Sequence, residues 1–445
     1  MGLLAAALVA TSALAPTAGA AGPRVTETVT QLAPGLTYTK ITDPSGPFLV
    51  HVLTVDPSQP VTLDPHVPTR LPVSMRTSDQ AAARGAVAAV NGDFAGGLGQ
   101  PAQAFAEDGK LRQTGLSMLG GSFAISRDEL HEYIGPTTTT VDAIDVTKGS
   151  SFAIDRWNSD PAKAGEIAAF TKWGGALQRP PTDTCSARLL PVGKLTWTSG
   201  QMGLARDYQV ESMTCRWDRS QVMNAVVLEA KRGSLTAGTI QKMAAGDVVT
   251  VTWSHGWPGV MDSIGGHPVI VNDGLNTAPN DNSYFCSRNP RTGIAYTADG
   301  KVLLVVVDGR STRSVGMRLR EFGNYLIGLG AVYAINEDGG GSSTMWIKGL
   351  GVVNHPTDST GERPVRNTLL VLPGPDAGEP LPRGAYRSAP TPTVDAATAW
   401  RLEMTDPGST GGLADALVNG YLGRTGPLPA SYVRIARAFR TSLPR

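Results

Sequence analysis

The chain has 445 residues, of which 41% are hydrophobic, and a formal net charge of +1 at pH 7. This length and composition can bury one large core or two moderate ones, and the balanced charge argues against a bulk electrostatic grip on nucleic acid or anionic lipid. Glycine is abundant, with 52 residues, and aromatic residues make up only 6%, which favours many turns and short strands over a helical bundle.

The first twenty residues predict a signal peptide. They form a short apolar stretch that ends in Ala18-Gly19-Ala20, a sequence of small residues typical of a signal-peptidase site. Thr, Ser and Pro interrupt the apolar run, which is too short to span a membrane. We therefore expect an exported protein, secreted or associated with the cell envelope.

The three cysteines fit an oxidising compartment. Cys185 and Cys215 flank a segment rich in Pro, Gly and polar residues, and a disulfide between them would stabilise the fold by roughly 3–4 kcal/mol. Cys286 is then the odd cysteine, either buried or free. Because the sequence has neither a Cys-x-x-Cys pair nor a Cys/His cluster at zinc spacing, we expect no structural zinc site. We predict no cofactor, and a Ca²⁺ ion is the one metal left open.

Composition divides the chain into four parts. After the signal peptide, residues 1–20, apolar strands alternate with turns as far as about Leu372, which predicts one domain over residues 21–372. Residues 373–391 are rich in Pro and Gly and are interpreted as a linker. Residues 392–445 are expected to form a small helical or partly disordered tail.

The first strand with a polar ending follows a short helix. Ser78–Arg84 has helical character, and the apolar run Ala86–Val90 predicts a buried strand. Asn91-Gly92-Asp93 comes directly after that run.

Residues 301–338 predict a βαβ unit. Lys301–Val307 is an almost continuous apolar run, typical of a strand that is buried on both faces. Apolar residues then recur at helical spacing from Leu319 to Leu329, and Ala331–Ile335 is a second strand. The predicted fold class is therefore α+β, with a mixed sheet whose strand ends carry the site. If the two strands are neighbours, Asp308 and Asp338 emerge side by side at the edge where α/β sheets bind ligands.

The segment that follows the second strand is the most unusual one in the chain. An Asp-Gly pair alone proves little, because Asp108-Gly109 and Asp299-Gly300 look like ordinary hairpin turns. After Asp338, however, three glycines, Gly339 to Gly341, precede Ser342. Three glycines cost conformational entropy, so we expect backbone N–H groups to approach an anion there, particularly a phosphate. A flexible Gly/Ser loop is the alternative.

Basic residues near these strand ends are candidate phosphate ligands. Arg291, Arg310 and Arg363 each lie close in sequence to one of the motifs, and arginine suits bidentate contact with phosphate. Taken alone, each one is better interpreted as a solvated surface charge, and only convergence on one edge of the sheet would favour a phosphate ligand. His267, in Gly265-Gly266-His267-Pro268, is either an acid/base group, a phosphate donor or a structural turn histidine.

Six short segments, taken in chain order, form a recognisable set. They are Asn91-Gly92-Asp93-Phe94, Gly265-Gly266-His267-Pro268, Arg291-Thr292-Gly293-Ile294, Asp308-Gly309, Asn336 to Thr344, and Arg363-Pro364-Val365 with Asn367. These segments, which span roughly residues 86–372, resemble the phosphodiester glycosidase family. The resemblance implies a hydrolase that cleaves sugar 1-phosphodiesters, of the N-acetylglucosamine-1-phosphodiester type, at the anomeric C–O bond.

The resemblance also implies roles for individual residues. Asp338 is the first choice for the catalytic carboxylate and Asp308 the second, and Asn91 and Asp93 are expected to bind sugar hydroxyls. The other predicted substrate-binding residues are His267, Arg291, Thr292, Arg310, Gly339, Gly340, Gly341, Ser342 and Arg363. The family usually carries leucine where this chain has Glu337, whose role is open. Strand alternation places Glu337 and Asp338 on opposite sides, and we expect Asp338 to face the ligand.

Two other functions are compatible with the same residues. A phosphodiesterase would attack phosphorus, chemistry for which a metal is usual. An exported binding module would recognise envelope polysaccharide without turnover, with Ca²⁺ on Asp338 or Glu337. In each case the expected partner is a phosphodiester-linked saccharide or a cell-envelope glycopolymer, and we expect neither nucleic acid binding nor a stable membrane span.

Overall fold

A computed structural model describes residues 24–97, 99–115, 120–126, 131–136, 139–177, 183–216 and 225–374. The predicted signal peptide, the tail and all but the first two residues of the predicted linker lie outside these residues, so those predictions stay predictions. Within the described ranges, no helix is long and apolar enough to cross a membrane.

Short strands dominate the described part of the chain, which contains only three short α-helices. The helices are α1 (Thr77–Arg84), α2 (Leu235–Gln241) and α3 (Leu319–Gly328). Three 3₁₀ turns cover Lys172–Leu177, Ser199–Gln201 and Gly340–Ser342. The predicted α+β class is therefore corrected to a mostly β architecture.

The strands are numbered in chain order. The first fourteen are β1 (Thr26–Ala33), β2 (Leu36–Asp43), β3 (Phe48–Val55), β4 (Val61–His66), β5 (Met75–Arg76), β6 (Ala88–Asn91), β7 (Phe105–Glu107), β8 (Lys110–Gln113), β9 (Gly121–Ser126), β10 (Glu132–Pro136), β11 (Thr140–Asp145), β12 (Ser150–Ala153), β13 (Arg156–Trp157) and β14 (Ala168–Phe170). The others are β15 (Thr184–Trp197), β16 (Leu204–Thr214), β17 (Val226–Lys231), β18 (Val248–Ser254), β19 (Val260–Gly266), β20 (Val269–Asn272), β21 (Leu275–Asn276), β22 (Arg291–Thr297), β23 (Val302–Val307), β24 (Ala331–Asn336), β25 (Met345–Ile347), β26 (Gly351–Val352), β27 (Pro364–Val365) and β28 (Thr368–Pro373).

Four larger sheets and one two-stranded pair organise these strands. The first sheet has the order β1-β2-β3-β23-β22-β24-β20-β21, and the second has the order β10-β9-β19-β7-β8. The third sheet is β12-β11-β18-β16-β15-β17-β14-β13, and the fourth is β26-β25-β6-β28-β4. The small pair is β27-β5.

The predicted βαβ unit is only partly right. The strand, helix and second strand are present as β23, α3 and β24, but β22 lies between the two strands and is antiparallel to both. β23 and β24 therefore run parallel, as predicted, but they are not neighbours. The condition for Asp308 and Asp338 to emerge side by side is not met, because one strand separates them. The physical reason is the hairpin at Asp299-Gly300, which returns the chain from β22 directly into β23.

Both faces of the first sheet are covered. Along β23, Leu304 and Val306 face a core shared with Phe105 and Phe123 of the second sheet and Leu369 of the fourth. The alternate residues of β23 face a second core that includes α3. The strand is thus buried on both faces, as its apolar sequence predicts, although its neighbours are antiparallel.

The third sheet has its own core and carries the disulfide. Cys185 in β15 is bonded to Cys215, the residue after β16, which confirms the predicted pair. Cys286 is a buried free thiol whose Sγ lies 3.6 Å from the carbonyl oxygen of Pro279.

Candidate active site

A cleft of about 340 Å³ opens beyond the ends of β6 and β24. One carboxylate and three arginines line it, together with aromatic, amide and glycine residues. The lining residues are Phe94, Tyr284, Phe285, Asn289, Arg291, Arg310, Asn336, Asp338, Gly339, Gly340, Gly341 and Arg363.

Asp338 is the carboxylate of the cleft, and bonds from both sides fix its position. Its backbone N–H donates to the carbonyl of Gly92 at 3.0 Å, and its own carbonyl accepts from Nδ2 of Asn91 at 2.7 Å. The hydroxyl of Ser342 donates to Oδ2 at 2.5 Å. Burial raises the pKa of Asp338, while the Ser342 bond and the nearby charge of Arg363 act against that rise.

A relay of polar groups connects Asp338 to the segment 354–363. Arg363 donates through Nη1 to the hydroxyl of Ser342 at 3.1 Å. The same guanidinium is held by Asp358 through two parallel bonds of 2.6 and 2.8 Å. Because Ser342 in turn donates to Asp338, the position of Arg363 is transmitted to the carboxylate of the cleft.

Asp308 anchors the same segment and is absent from the lining of the cleft. Its Oδ1 accepts from the backbone N–H of His355 at 2.7 Å, and its Oδ2 lies 3.6 Å from Nε2 of His51. The hydroxyl of Tyr38 lies 2.8 Å from Nδ1 of that histidine. The two predicted catalytic aspartates are thus connected through segment 354–363 rather than lying side by side.

The Gly-rich turn is packed too closely for side chains. Gly340 has a φ of +64°, in the left-handed region that favours glycine. A Cβ at Gly341 would lie 2.0 Å from Oδ1 of Asp358. The N–H groups of Gly340, Ser342 and Ser343 donate to protein carbonyls, so these three groups do not form the predicted cradle for an anion.

Arg291, one of the predicted phosphate ligands, supplies positive charge to the cleft. Its guanidinium donates to the carbonyls of Met317, Phe285 and Ser287 at 3.0, 2.9 and 2.6 Å. The residue is only 3% exposed, and burial lowers its pKa to about 10. No described carboxylate pairs with it, so its charge inside the cleft is compensated only by neutral groups.

Arg310 lies at the rim of the cleft and also has neutral partners. It donates to Oδ1 of Asn289, to the hydroxyl of Thr357 and to the hydroxyl of Tyr284 at 3.2, 3.1 and 2.7 Å. Its φ of +58° places a non-glycine residue in the left-handed region, a strain that tertiary contacts must hold. Arg310 and Arg291 both contact segment 284–289, which therefore forms one wall of the cleft.

Three predicted sugar or phosphate contacts are occupied by the protein itself. Asn91 is fully buried, and its Oδ1 accepts from Thr292 at 2.8 Å and from the N–H of Thr344 at 2.9 Å. Asp93 accepts from the N–H groups of Phe94 and Gln103 at 2.7 and 2.6 Å. Asn91, Thr292 and Asp93 therefore lie behind the wall of the cleft, where they position the strand ends.

Two further predicted positions differ in environment. His267 is half-buried outside the lining of the cleft, with its ring 5.8 Å from that of Phe285. Glu337 is fully buried and, unlike Asp338, does not line the cleft. Burial, Asp93 and Asp338 raise the pKa of Glu337 well above its usual value. Buried Asp93 itself has a pKa raised to about 7, mainly by desolvation.

Sequence reasoning missed part of the cleft. It gave no role to Phe94, Tyr284, Phe285, Asn289 or Asn336, although all of them line the cleft. One available signal was Tyr284-Phe285, an aromatic pair in a chain with few aromatic residues. In the described residues, no group of three His, Cys, Asp or Glu side chains is arranged to hold a metal ion.

Comparison with known proteins confirms the resemblance over part of the chain. Residues 210–372 match the family model described as Phosphodiester glycosidase. The SPbeta prophage-derived uncharacterized protein YomE of Bacillus subtilis (strain 168) is 34% identical over 84 residues, which cover 19% of this chain and 13% of that protein.

Two solved structures are similar in fold. A hypothetical protein from Synechocystis matches with a TM-score of 0.59 and 20% identity, over 76% of this chain and 62% of that chain. A protein from Burkholderia pseudomallei K96243 matches with a TM-score of 0.58 and 18% identity, over 79% of this chain and 97% of that chain. This chain therefore spans less than two thirds of the Synechocystis protein and of the prophage protein.

Proposed function

We propose, from the match of residues 210–372 to the phosphodiester glycosidase family, that this chain is a hydrolase of sugar 1-phosphodiesters. The bond it cleaves joins the anomeric carbon to oxygen. The observation that carries the proposal is one carboxylate, Asp338, in a cleft that also contains the buried, unpaired charge of Arg291.

The chemistry of the leaving group explains why the cleft would contain both a carboxylate and an unpaired cation. When the anomeric C–O bond breaks, its electron pair goes to the phosphate oxygen, and the product is a phosphate monoester. The second pKa of such a monoester is about 6, so the departing oxygen needs little help from a general acid, in contrast to an ordinary glycoside. What the site must supply is a carboxylate near the anomeric carbon and cations for the phosphate.

The residues of the cleft meet both needs. Asp338 acts either as a base that takes a proton from the attacking water or as a nucleophile that bonds to the anomeric carbon. Arg291 and Arg310, which both contact segment 284–289, bind the departing phosphate. Phe94, Tyr284 and Phe285 add aromatic surface against which a sugar ring can pack.

Isotope transfer tests the proposal. The full chain is incubated in H₂¹⁸O with an α-N-acetylglucosamine 1-phosphodiester, and the mass of the phosphate product is followed. We expect an unlabelled phosphate monoester, because water enters at carbon. Asp338→Asn should lower kcat by roughly 10²–10⁴-fold, whereas Asp299→Asn, in an exposed hairpin turn, should not.

The other outcomes point to the two alternative functions. Label in the phosphate would show attack at phosphorus and would replace the glycosidase by a phosphodiesterase. If a panel of sugar 1-phosphodiesters is not turned over, with metal present or chelated, the hydrolase proposal fails and a binding module remains.

Export is the second part of the proposal. The disulfide between Cys185 and Cys215 supports it, because structural disulfides persist in oxidising compartments. A secretion assay with the native N-terminus, followed by N-terminal sequencing of the product, tests it. Cleavage after Ala20 is expected, and full-length protein retained in the cytosol would contradict it.

A further inference from the structure

The third sheet contains a second cavity that shares no residue with the cleft. Its volume is about 60 Å³. On a comparable measure a water molecule needs roughly 10–15 Å³, so the cavity has room for a small polar group. Its polar lining residues are Lys110, Trp157, Arg206 and Tyr208, and Trp253 is among the residues that form its apolar walls.

Arg206 occupies a position that strand alternation reserves for an apolar residue. In β16 it shares a face with Leu204 and Val210, and both of these are buried in the core of the third sheet. Its Nη2 donates to the carbonyl of Gly193 at 3.3 Å, and its buried Nε has no partner in the described structure. A buried nitrogen of a cation that has no carboxylate partner among the described residues is costly unless something compensates it.

Trp157 is a second donor among the residues that line the same cavity. The residue is 6% exposed, and its Nε1–H is buried without an acceptor among the described residues. An unsatisfied buried N–H destabilises the folded state unless an acceptor reaches it. Tryptophan and arginine can only donate hydrogen bonds, and Lys110 adds a third side chain of that kind.

The walls of the cavity restrict which chemical body can carry the hydrogen-bond acceptor. Val141 and Val251 are buried on its apolar side, as is the ring of Trp253. Lys110 and Arg206 are only half-buried, so the mouth of the cavity lies at the cations. A ligand would therefore enter with its charge between these two residues and with an apolar edge or a ring against Trp253.

We propose that this cavity is a binding site for an oxyanion group, a carboxylate or a phosphate carried on a ring or another apolar body. The group would accept from Nε of Arg206 and Nε1 of Trp157 and lie within reach of Lys110. The site is independent of the proposed hydrolysis, because none of its residues lines the cleft.

The indole N–H of Trp157 is a direct reporter, because no tryptophan lines the cleft. The full chain, labelled with ¹⁵N at its tryptophan side chains, is titrated separately with inorganic phosphate and with acetate. We expect a saturable downfield shift of the Trp157 indole resonance with at least one of the two ions. The ion that saturates at the lower concentration identifies the phosphate or the carboxylate as the group recognised.

Variants of matched chemistry separate this site from other anion binding. Arg206→Met should abolish the saturable shift, whereas Arg188→Met, in the neighbouring strand and outside the cavity, should retain it. Asp338→Asn should also retain it, so a failure of the proposed hydrolysis would leave this result unaffected. Trp157→Phe removes the donor but keeps an aromatic ring, and in that variant the anion should protect less against thermal unfolding.

Two results would overturn the proposal. One is a Trp157 resonance that neither ion shifts to saturation while the protein remains folded. The other is a saturable shift that persists in Arg206→Met, which would place the anion elsewhere on the chain.

Discussion

Glu337 is the residue that this chain carries where the resembling family usually has leucine, and it lies in an unfavourable place. The side chain is fully buried, and neither carboxylate oxygen has a hydrogen-bond partner in the described structure. Gly266 leaves room for it, since a Cβ there would lie 2.8 Å from Oε1. With Asp93 and Asp338 close by, the protonated form is the one that the fold favours.

We predict that Glu337→Leu stabilises the protein at pH 7. The raised pKa means that the folded state binds a proton that the unfolded state releases once the pH exceeds about 4.3. Stability is therefore lost as the pH rises above that value. Removing the group should raise the free energy of unfolding by about 1–3 kcal/mol at pH 7 and by less at pH 4, measured by urea denaturation.

Glu337→Gln is the matched control for this prediction, because it keeps the shape and polarity but cannot ionise. It should flatten the pH dependence of the unfolding free energy as the leucine variant does, and it should stabilise the protein less than leucine does. An unfolding free energy that changes with pH as in the parent protein would show that Glu337 is not the group responsible.

Ser342 provides the second prediction at the level of single residues. Its hydroxyl bond lowers the pKa of Asp338, so Ser342→Ala should raise that pKa. Because the proposed mechanism needs ionised Asp338, the acid limb of the kcat/KM profile should move to higher pH. On that limb kcat/KM should fall about tenfold. Ser343→Ala removes a neighbouring buried hydroxyl that has no partner among the described residues, and its profile should match the parent.

At the level of elements, the sequence predicted which segments are regular but did not show which strands lie beside one another in the sheet. The run Val302–Val307, the helix from Leu319 and the strand from Ala331 were all correct. Apolar periodicity reports burial of one segment at a time, and it carries no information about which strand lies beside it. The hairpin signal at Asp299-Gly300 did contain that information, since it requires a strand before residue 298 to pair with the strand after it.

The candidate site also has features that the sequence indicated and features that it could not show. Asp338, Arg291 and Arg363, which the sequence analysis singled out, line one cleft. It could not show that Asn91 and Thr292 bond to each other, because these residues are 201 positions apart in the chain. Polar residues at a strand end can serve a ligand or the neighbouring strand, and only the tertiary contacts distinguish the two.

The segment 354–363 gives a prediction of its own. Asp358 orients Arg363 through two bonds, so Asp358→Asn should release the guanidinium from Ser342 and lower kcat/KM by about tenfold. Glu166→Gln breaks a similar two-bond pair with Arg156 in the third sheet and should leave kcat/KM unchanged. Equal losses in the two variants would show a general effect on stability rather than a positioning role for Asp358.

For the whole molecule, the disulfide is the main covalent constraint that the structure shows. It joins residues separated by 30 positions at the end of the β15–β16 hairpin. Replacing both cysteines by serine should lower the free energy of unfolding by roughly 3–4 kcal/mol through the entropy of the unfolded chain. The measurement is urea denaturation of the double variant, and a change below about 1 kcal/mol would contradict the prediction. Because the pair lies in the third sheet, we expect the kcat of the remaining folded protein to be unaffected.

The order of strands in the fourth sheet has a consequence for how the protein is made. Strand β28 is the last strand of the described chain, yet it lies between β4 and β6. Asn367, just before it, accepts from the N–H of Asp93 at 2.9 Å and holds Gly92 through its backbone. A ribosome therefore delivers the residues that fix the strand end at Asp93 more than 270 positions after Asp93 itself. In a nascent or truncated chain that lacks β28, strands β4 and β6 have no partner between them and Asp93 has no Asn367 to fix it. The proposed activity would therefore arise only when synthesis of the domain is complete.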